Sequence, residues 1–222
     1  MHKSIESLLT DAEETGRTLP EVVLAAEVEE SGRSAEEIRE RIRRTLAVMR
    51  SAIAEGLKGD VRSPSGMTGG RAAKLLADGP RLLGPRVTET LARAISTLEV
   101  NAAMGLIVAA PTAGAAGVLP AILVGVGEYL ELDDEALVDG MLVAGGVGGV
   151  VAHRASIAGA EGGCQAETGT AAAMGAAAVC WLGGGSNRQV ATAVALALQG
   201  MIGLICDPIG GLVEIPCIYR NA

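Results

Sequence analysis

Residues 168–182 read TGTAAAMGAAAVCWL, and after the turn GGGSN the chain continues at 188–205 with RQVATAVALALQGMIGLI. Both runs are apolar and are predicted to form helices joined by a glycine-rich turn. Their small side chains let helix backbones approach closely. The whole chain has no Phe, one Trp and two Tyr. It therefore has few of the aromatic residues that are common in β-strands. We therefore predict an all-α fold, a Gly/Ala-rich helical domain whose glycine-rich loops carry the polar residues.

The first 62 residues differ from the rest, because they hold 23 of the 44 charged residues. Ser/Thr-x-x-Glu sequences at Thr18 and Ser34 match the capping box that begins helices. After the second box, apolar residues recur at helical spacing. They are Ile38, Ile42, Leu46, Met49 and Ile53. We predict a single domain over 1–222, in which charged amphipathic helices in 1–62 form a solvated outer layer and 63–222 form an apolar helical core.

Charge, composition and the N-terminal residues limit the possible partners and location of the protein. The net charge is −8 and the pI is near 4.9, and so few aromatic side chains offer little for bases to stack on. Nucleic acid is therefore not expected as a ligand. The first six residues lack the apolar region of a signal peptide, so we expect a cytoplasmic protein with reduced thiols rather than disulfides.

Long uncharged runs raise the question of a membrane protein. Residues 101–127, 168–187 and 189–206 carry no charge, and the mean hydropathy is +0.37. These runs are rich in Ala and Gly, and Pro111 and Pro120 interrupt the first. A buried helical core explains them better than membrane spans, and we expect no membrane association.

The four cysteines fall into two groups by local sequence. Cys180 lies in the apolar run AAVCWL, as a core cysteine does. Cys164, Cys206 and Cys217 each lie beside glycine, proline or an acid. None of the four forms the Cys-x-x-Cys pair typical of zinc sites. Widely separated thiolates on separate loops instead suit an iron–sulfur cluster, although spacing alone does not establish one.

Two polar loops are candidate ligand sites. Residues 63–74 read SPSGMTGGRAAK, a glycine loop that leads into a helix, where backbone N–H groups can bind a carboxylate or phosphate. A plain turn explains this loop equally well. Proline and glycine also interrupt the apolar region at 110–117, where Thr112 supplies a hydroxyl. Such a break can line a polar site or simply connect two helices.

Three cysteine motifs, GAEGGCQAE at 159–167, CDPIGGLV at 206–213 and IPCIYRN at 215–221, resemble those of the α chain of the bacterial iron–sulfur L-serine dehydratase (L-serine ammonia-lyase). The loop at 63–70, NAAMG at 101–105 and PTAG at 111–114 resemble further motifs of that family, in the same order. The resemblance covers residues 40–222.

The resemblance implies a [4Fe-4S] cluster bound by Cys164, Cys206 and Cys217, with one iron open to the serine hydroxyl. It implies conversion of L-serine to pyruvate and ammonia, a step of amino-acid catabolism that feeds gluconeogenesis. Five residues become candidates for binding the substrate: Ser63, Ser65, Thr68, Asn101 and Thr112. The general base is not identified by sequence. The candidates are His153, Glu161, Glu167, Asp207 and Glu214.

The resemblance also implies a serine dehydratase β chain as partner, in a hetero-oligomer, since the β-type Ser-Ser-His-Thr-like motif does not occur here. Family α chains continue beyond the position of Ala222, so a truncated C-terminus is expected. Two rival hypotheses stay open. One is a pyridoxal-phosphate dehydratase with Lys74 as the Schiff-base lysine and 183–187 as the phosphate loop. The other is a non-enzymatic helical membrane or scaffold protein.

Overall fold

The computed structural model describes residues 2–80, 82–206 and 208–222, and within them the regular structure is helical, without a β-strand. The α-helices are α1 (Ile5–Thr15), α2 (Leu19–Ser31), α3 (Ala35–Leu57), α4 (Arg71–Asp78), α5 (Pro85–Ala102), α6 (Val118–Tyr129), α7 (Asp134–Arg154), α8 (Gly159–Gly162), α9 (Cys164–Leu182), α10 (Asn187–Met201) and α11 (Cys217–Asn221). Single 3-10 turns at Ala113–Ala115 and Ile209–Gly211 precede α6 and α11. The all-α prediction is confirmed.

Both predicted capping boxes begin helices. The backbone N–H of Ser34 donates to the Glu37 carboxylate at 2.8 Å, and the N–H of Glu37 donates to the Ser34 hydroxyl at 3.2 Å. At the start of α2, the N–H of Thr18 donates to the Glu21 carboxylate at 2.8 Å. These bonds satisfy amide groups that a first helical turn leaves without intrahelical partners. The sequence therefore locates the starts of α2 and α3 correctly.

Helix α9 lies at the centre of the fold and packs against α6, α7 and α10. Its Ala173 and Ala177 are fully buried against Val143 of α7. Leu8 of α1 and Leu19 of α2 enter the same apolar cluster. Apolar side chains of α1 and α2 therefore complete the core, and the assignment of 1–62 to an outer layer stays a prediction.

A second packing region joins α3 to α5 through a close backbone approach. A Cβ on Gly56 of α3 would lie 2.3 Å from the backbone oxygen of Ser96 in α5, so a larger residue would push the helices apart. Leu98 of α5 is fully buried in this region. The next residue, Glu99, is 1% exposed and accepts a hydrogen bond from the N–H of Arg71 at 2.9 Å. This carboxylate fixes the start of α4 on α5.

The glycine-studded apolar run GMLVAGGVGGVVA at 140–152 predicts a short helix, and helix α7 extends beyond it. It begins at Asp134 because the Asp133 carboxylate caps it, accepting from the N–H of Ala136 at 2.8 Å. In the part of the chain that the structure describes, α7 is the one helix long and apolar enough to cross a membrane. Half of its apolar window is buried inside the protein, as in the core helix of a globular domain.

Helix α10 ends at Met201, whereas the apolar run predicts helix to residue 205. The N–H of Gly203 donates to the side-chain oxygen of Gln165 at 2.8 Å. The carbonyl of Leu204 accepts from the backbone N–H of Gln165 at 3.1 Å. Contacts with the start of α9 thus replace the last helical turn and direct the chain towards Cys206.

Candidate functional site

The segments that carry Cys164, Cys206 and Cys217 meet at the start of α9. Gly163 has a φ of 73°, and a Cβ there would lie 2.6 Å from the backbone oxygen of Leu204 and 3.3 Å from the backbone nitrogen of Cys206. Only glycine fits both this conformation and this contact. The segment before Cys206 therefore packs directly on the loop that begins α9.

Arg220, three residues after Cys217, connects these two segments to α11. Its Nη1 donates to the Sγ of Cys164 at 3.3 Å and to the backbone oxygen of Ile205 at 2.8 Å. One guanidinium thus contacts two of the cysteine segments and belongs to the third. The sequence analysis did not single out Arg220. Its i, i+3 spacing from Cys217 on a helix is the pattern that indicates it.

The three cysteines share one electrostatic environment. Cys164 and Cys217 are 3% and 8% exposed, whereas Cys206 is exposed. Burial raises the pKa of the Cys217 thiol, and the neighbouring Cys164, Cys206 and Glu167 raise this pKa further. Ionising the neighbouring thiols together is therefore unfavourable, and a bound cationic group would favour the thiolate forms.

Glu167 lies one helical turn after Cys164 and is half-buried. The hydroxyl of Thr112 donates to its carboxylate at 2.8 Å. A Cβ on Gly114 would lie 2.6 Å from Glu167 Oε1, and one on Gly159 would lie 2.7 Å from its Cδ. The break before α6, which the sequence predicts as a candidate lining of a polar site, therefore orients a carboxylate beside the cysteines.

The loop before α4 holds a second carboxylate, that of Glu214. The hydroxyls of Ser63, Ser65 and Thr68 donate to it at 2.8, 2.8 and 2.9 Å. Burial would raise the pKa of Glu214, but these three donors outweigh burial and the pKa lies below its ordinary value. Glu214 is thus held as a carboxylate. Four of the five predicted substrate-binding residues thus contact a carboxylate of this protein, three at Glu214 and Thr112 at Glu167. Their role as substrate ligands stays a prediction.

The other candidate residues lie in different surroundings. The Asn101 amide donates to the backbone oxygen of Ala113 at 3.4 Å and so contacts the loop that carries Thr112. His153 and Glu161 are exposed, at the end of α7 and in α8. Asp207 lies outside the described residues. Glu167, in contrast, lies close enough to Cys217 to raise the pKa of its thiol.

Cys180 lies apart from this group and packs against the apolar cluster of α1, α2, α7, α9 and α10, as its sequence context predicts. Among the residues described, no three His, Cys, Asp or Glu side chains come together closely enough to hold one metal ion. In a multi-iron cluster each thiolate binds a different iron, so the ligands stay farther apart. Three thiols from three converging segments fit such a cluster.

Comparison with known proteins assigns the family. Residues 14–222 match the family described as "Serine dehydratase alpha chain". The chain belongs to the serine dehydratase alpha chain family. A "Probable L-serine dehydratase, alpha chain" of Bacillus subtilis is 44% identical over all of this chain and 75% of its own length. An "L-serine dehydratase, alpha chain" of Peptoniphilus asaccharolyticus is 38% identical over all of this chain and 77% of its own.

Some members of the serine dehydratase alpha chain family match within longer proteins. "L-serine dehydratase 2" of Escherichia coli is 34% identical over all of this chain, which covers 50% of that protein. The resemblance inferred from the cysteine motifs is therefore confirmed, and it extends from residue 14 rather than 40.

Nothing in the site favours the two rival hypotheses. Lys74, the lysine that a pyridoxal-phosphate enzyme would use, is exposed on α4. The glycine turn at 183–187 is closed by a bond from the N–H of Gly185 to the Cys180 carbonyl at 2.8 Å. Its Ser186 caps α10. These residues serve the helix junction rather than a phosphate group.

Proposed function

We propose that this chain is the alpha subunit of an L-serine dehydratase, a lyase that converts L-serine to pyruvate and ammonia. The observation that carries the proposal is the match of the whole chain to proteins named L-serine dehydratase, alpha chain. The proposal is also supported by the structure, in which the segments that carry Cys164, Cys206 and Cys217 lie against one another. The proposed location is the cytoplasm, where thiols stay reduced.

The proposed cofactor is a [4Fe-4S] cluster bound by Cys164, Cys206 and Cys217. When bound, the cluster supplies an iron without a protein thiolate, a Lewis acid for the serine hydroxyl. Arg220 would place positive charge beside the Cys164 thiolate. The left-handed Gly163 would keep the segment before Cys206 against the start of α9.

Glu167 is the residue that we propose as general base. Its carboxylate is half-buried, oriented by Thr112 and close enough to affect Cys217. Glu214 is less suited, since three hydroxyl donors stabilise its charged form. Glu167 would accept the α-proton of serine. Loss of that proton and of hydroxide gives 2-aminoacrylate, whose imine tautomer hydrolyses to pyruvate and ammonia.

A second polypeptide of the β type is proposed to complete the site. The segment around Cys206 exposes large apolar side chains, and exposed apolar patches commonly mark protein contact sites. They are Ile202, Ile205, Ile209, Leu212 and Val213. A serine dehydratase β chain, giving a hetero-oligomer, is the partner that the alpha-chain names of the relatives support.

The test is anaerobic reconstitution with iron and sulfide of the wild type and four single Cys→Ser variants. We expect visible absorption and bound iron in the wild type and Cys180→Ser, and loss of both in the Cys164, Cys206 and Cys217 variants. With a β chain added, the wild type should release pyruvate from L-serine. A Cys164→Ser protein that keeps its iron would refute the ligand assignment, and a loaded complex that releases no pyruvate would refute the activity.

A further inference from the structure

Both carboxylate oxygens of Glu214 accept hydrogen bonds from the Ser63 loop, and this contact is buried. Glu214 is 4% exposed, and Ser63 and Thr68 are 5% and 3% exposed. The Ser63 and Thr68 hydroxyls donate to Oε2, and the Ser65 hydroxyl donates to Oε1. A substrate carboxylate could use these hydroxyls only by displacing Glu214 and leaving a buried carboxylate without donors, which is strongly unfavourable.

The loop that holds Glu214 is itself fixed to the helices. The N–H of Ser63 donates to the carbonyl of Thr68 at 3.1 Å, and the N–H of Gly66 donates to the carbonyl of Ser63 at 2.9 Å. The loop then enters α4, whose first residue, Arg71, is bonded to the buried Glu99. These bonds, none of which involves Glu214, fix the position of the loop relative to α5.

Glu214 in turn defines the start of the helix that carries Cys217. The carbonyl of Glu214 accepts from the N–H of Ile218 at 3.0 Å, the first turn of α11. The carbonyl of Ile215 accepts from the N–H of Ile209 at 2.8 Å, which ties the chain that follows Cys206 to the same point. Residues 209–213 are exposed, so apolar burial contributes little before Glu214, whereas Ile218 after it is buried in the cluster of Leu98. A buried carboxylate anchors this exposed segment.

We propose that Ser63, Ser65 and Thr68 are positioning residues that act through Glu214 to hold Cys217 in place, rather than ligands of the substrate. The inference rests on the proposed function for what Cys217 binds. It changes the role that the sequence resemblance implies for these three hydroxyls.

The first test uses metal-free, reduced protein and measures alkylation of each cysteine by iodoacetamide, followed by peptide mass spectrometry. Loss of several hydrogen bonds to a charged group should raise the alkylation rate of Cys217 about tenfold in Glu214→Ala, and less in Glu214→Gln. Cys180 is the internal reference for global unfolding. Glu21→Gln is the matched control, because Glu21 also accepts a hydroxyl bond, from Thr18 at 2.8 Å, but on the exposed surface. An unchanged Cys217 rate in both Glu214 variants would overturn the proposal.

The second test uses the reconstituted complex with a β chain and separates positioning from substrate binding. For Ser65→Ala and Glu214→Gln we expect faster loss of iron in air, by about tenfold for Glu214→Gln, with KM for L-serine within about twofold of wild type. A KM raised tenfold or more with iron retained would show that these residues bind substrate. If wild-type protein takes up no iron, the proposed function fails, and the alkylation result still decides whether Glu214 positions Cys217.

Discussion

The helices from α1 to α7, with α9 and α10, form a frame that is held differently from the cysteine segment, residues 202–222. In the frame, apolar side chains such as Leu98 and Val143 are fully buried. In the cysteine segment, Ile202 and Ile205 are 76% and 66% exposed. Hydrogen bonds of Glu214, Arg220 and Asn221 attach that segment to the frame. Ile218 is its main apolar anchor, 1% exposed in the cluster of Leu98. The frame is therefore stabilised mainly by packing, whereas the candidate site also depends on hydrogen bonds that reach across the chain.

This difference implies two levels of stability. Regions with few buried apolar contacts open at lower free energy than the core, and binding sites are often found there. The cysteine segment should open while the frame stays folded. Three substitutions and one matched control test this comparison, and the first has the largest expected effect.

Leu98→Ala should destabilise the frame as a whole. Leu98 is fully buried in α5, and removing such a side chain leaves a cavity that costs about 2–5 kcal/mol. Urea unfolding followed by circular dichroism should show a lower free energy of unfolding, and amide exchange should accelerate in both regions. Faster exchange confined to the frame, with residues 202–222 unchanged, would show that the segment does not depend on the frame.

Gly163→Ala should loosen the cysteine segment and leave the frame intact. The extended, positive-φ conformation alone costs about 1–3 kcal/mol for a residue with a Cβ, and that Cβ would also meet the backbone oxygen of Leu204 at 2.6 Å. Amide exchange in residues 203–206 should rise about tenfold or more, with little change in α5.

The matched control for that change is Gly145→Ala in α7. A Cβ at Gly145 has no atom within 4 Å, so the change should stabilise the helix by about 0.5–1 kcal/mol. Equal acceleration in α5 and residues 203–206 on Gly163→Ala would remove the distinction between the two regions.

The smallest expected effect is a loss of thermal stability of the frame at acid pH. Hydrogen bonds from Arg43 and then Arg39 lower the pKa of Glu135 from 4.5 to about 2. Because the folded-state pKa is depressed, the stabilisation is complete above about pH 4.5 and is lost as the pH falls towards 2. Tm should therefore fall over this window, and less steeply in Glu135→Gln, which has no carboxylate to titrate. An identical fall in the variant would show that the link from α3 to α7 adds no stability.

Local sequence predicts the features that depend on neighbouring residues. The capping boxes at Thr18 and Ser34, the helical character of the apolar runs and the separation of Cys180 from the other cysteines all follow from residues within a few positions. The role of Glu214 does not, because its hydroxyl partner Ser63 is 151 residues away in sequence. Taken separately, the Ser63 loop and the residues around Glu214 could each be an ordinary turn. The end of α10 is also not predicted by local sequence, because it depends on Gln165 in α9.

The scarcity of aromatic residues has a practical consequence. The single tryptophan, Trp181, packs against the apolar cluster of the frame, while Tyr219 lies in the cysteine segment with the Arg71 guanidinium over its ring at 5.2 Å. The other tyrosine, Tyr129, ends α6 in the frame. Selective excitation of tryptophan therefore follows the unfolding of the frame alone in unlabelled protein, whereas tyrosine emission reports on both regions.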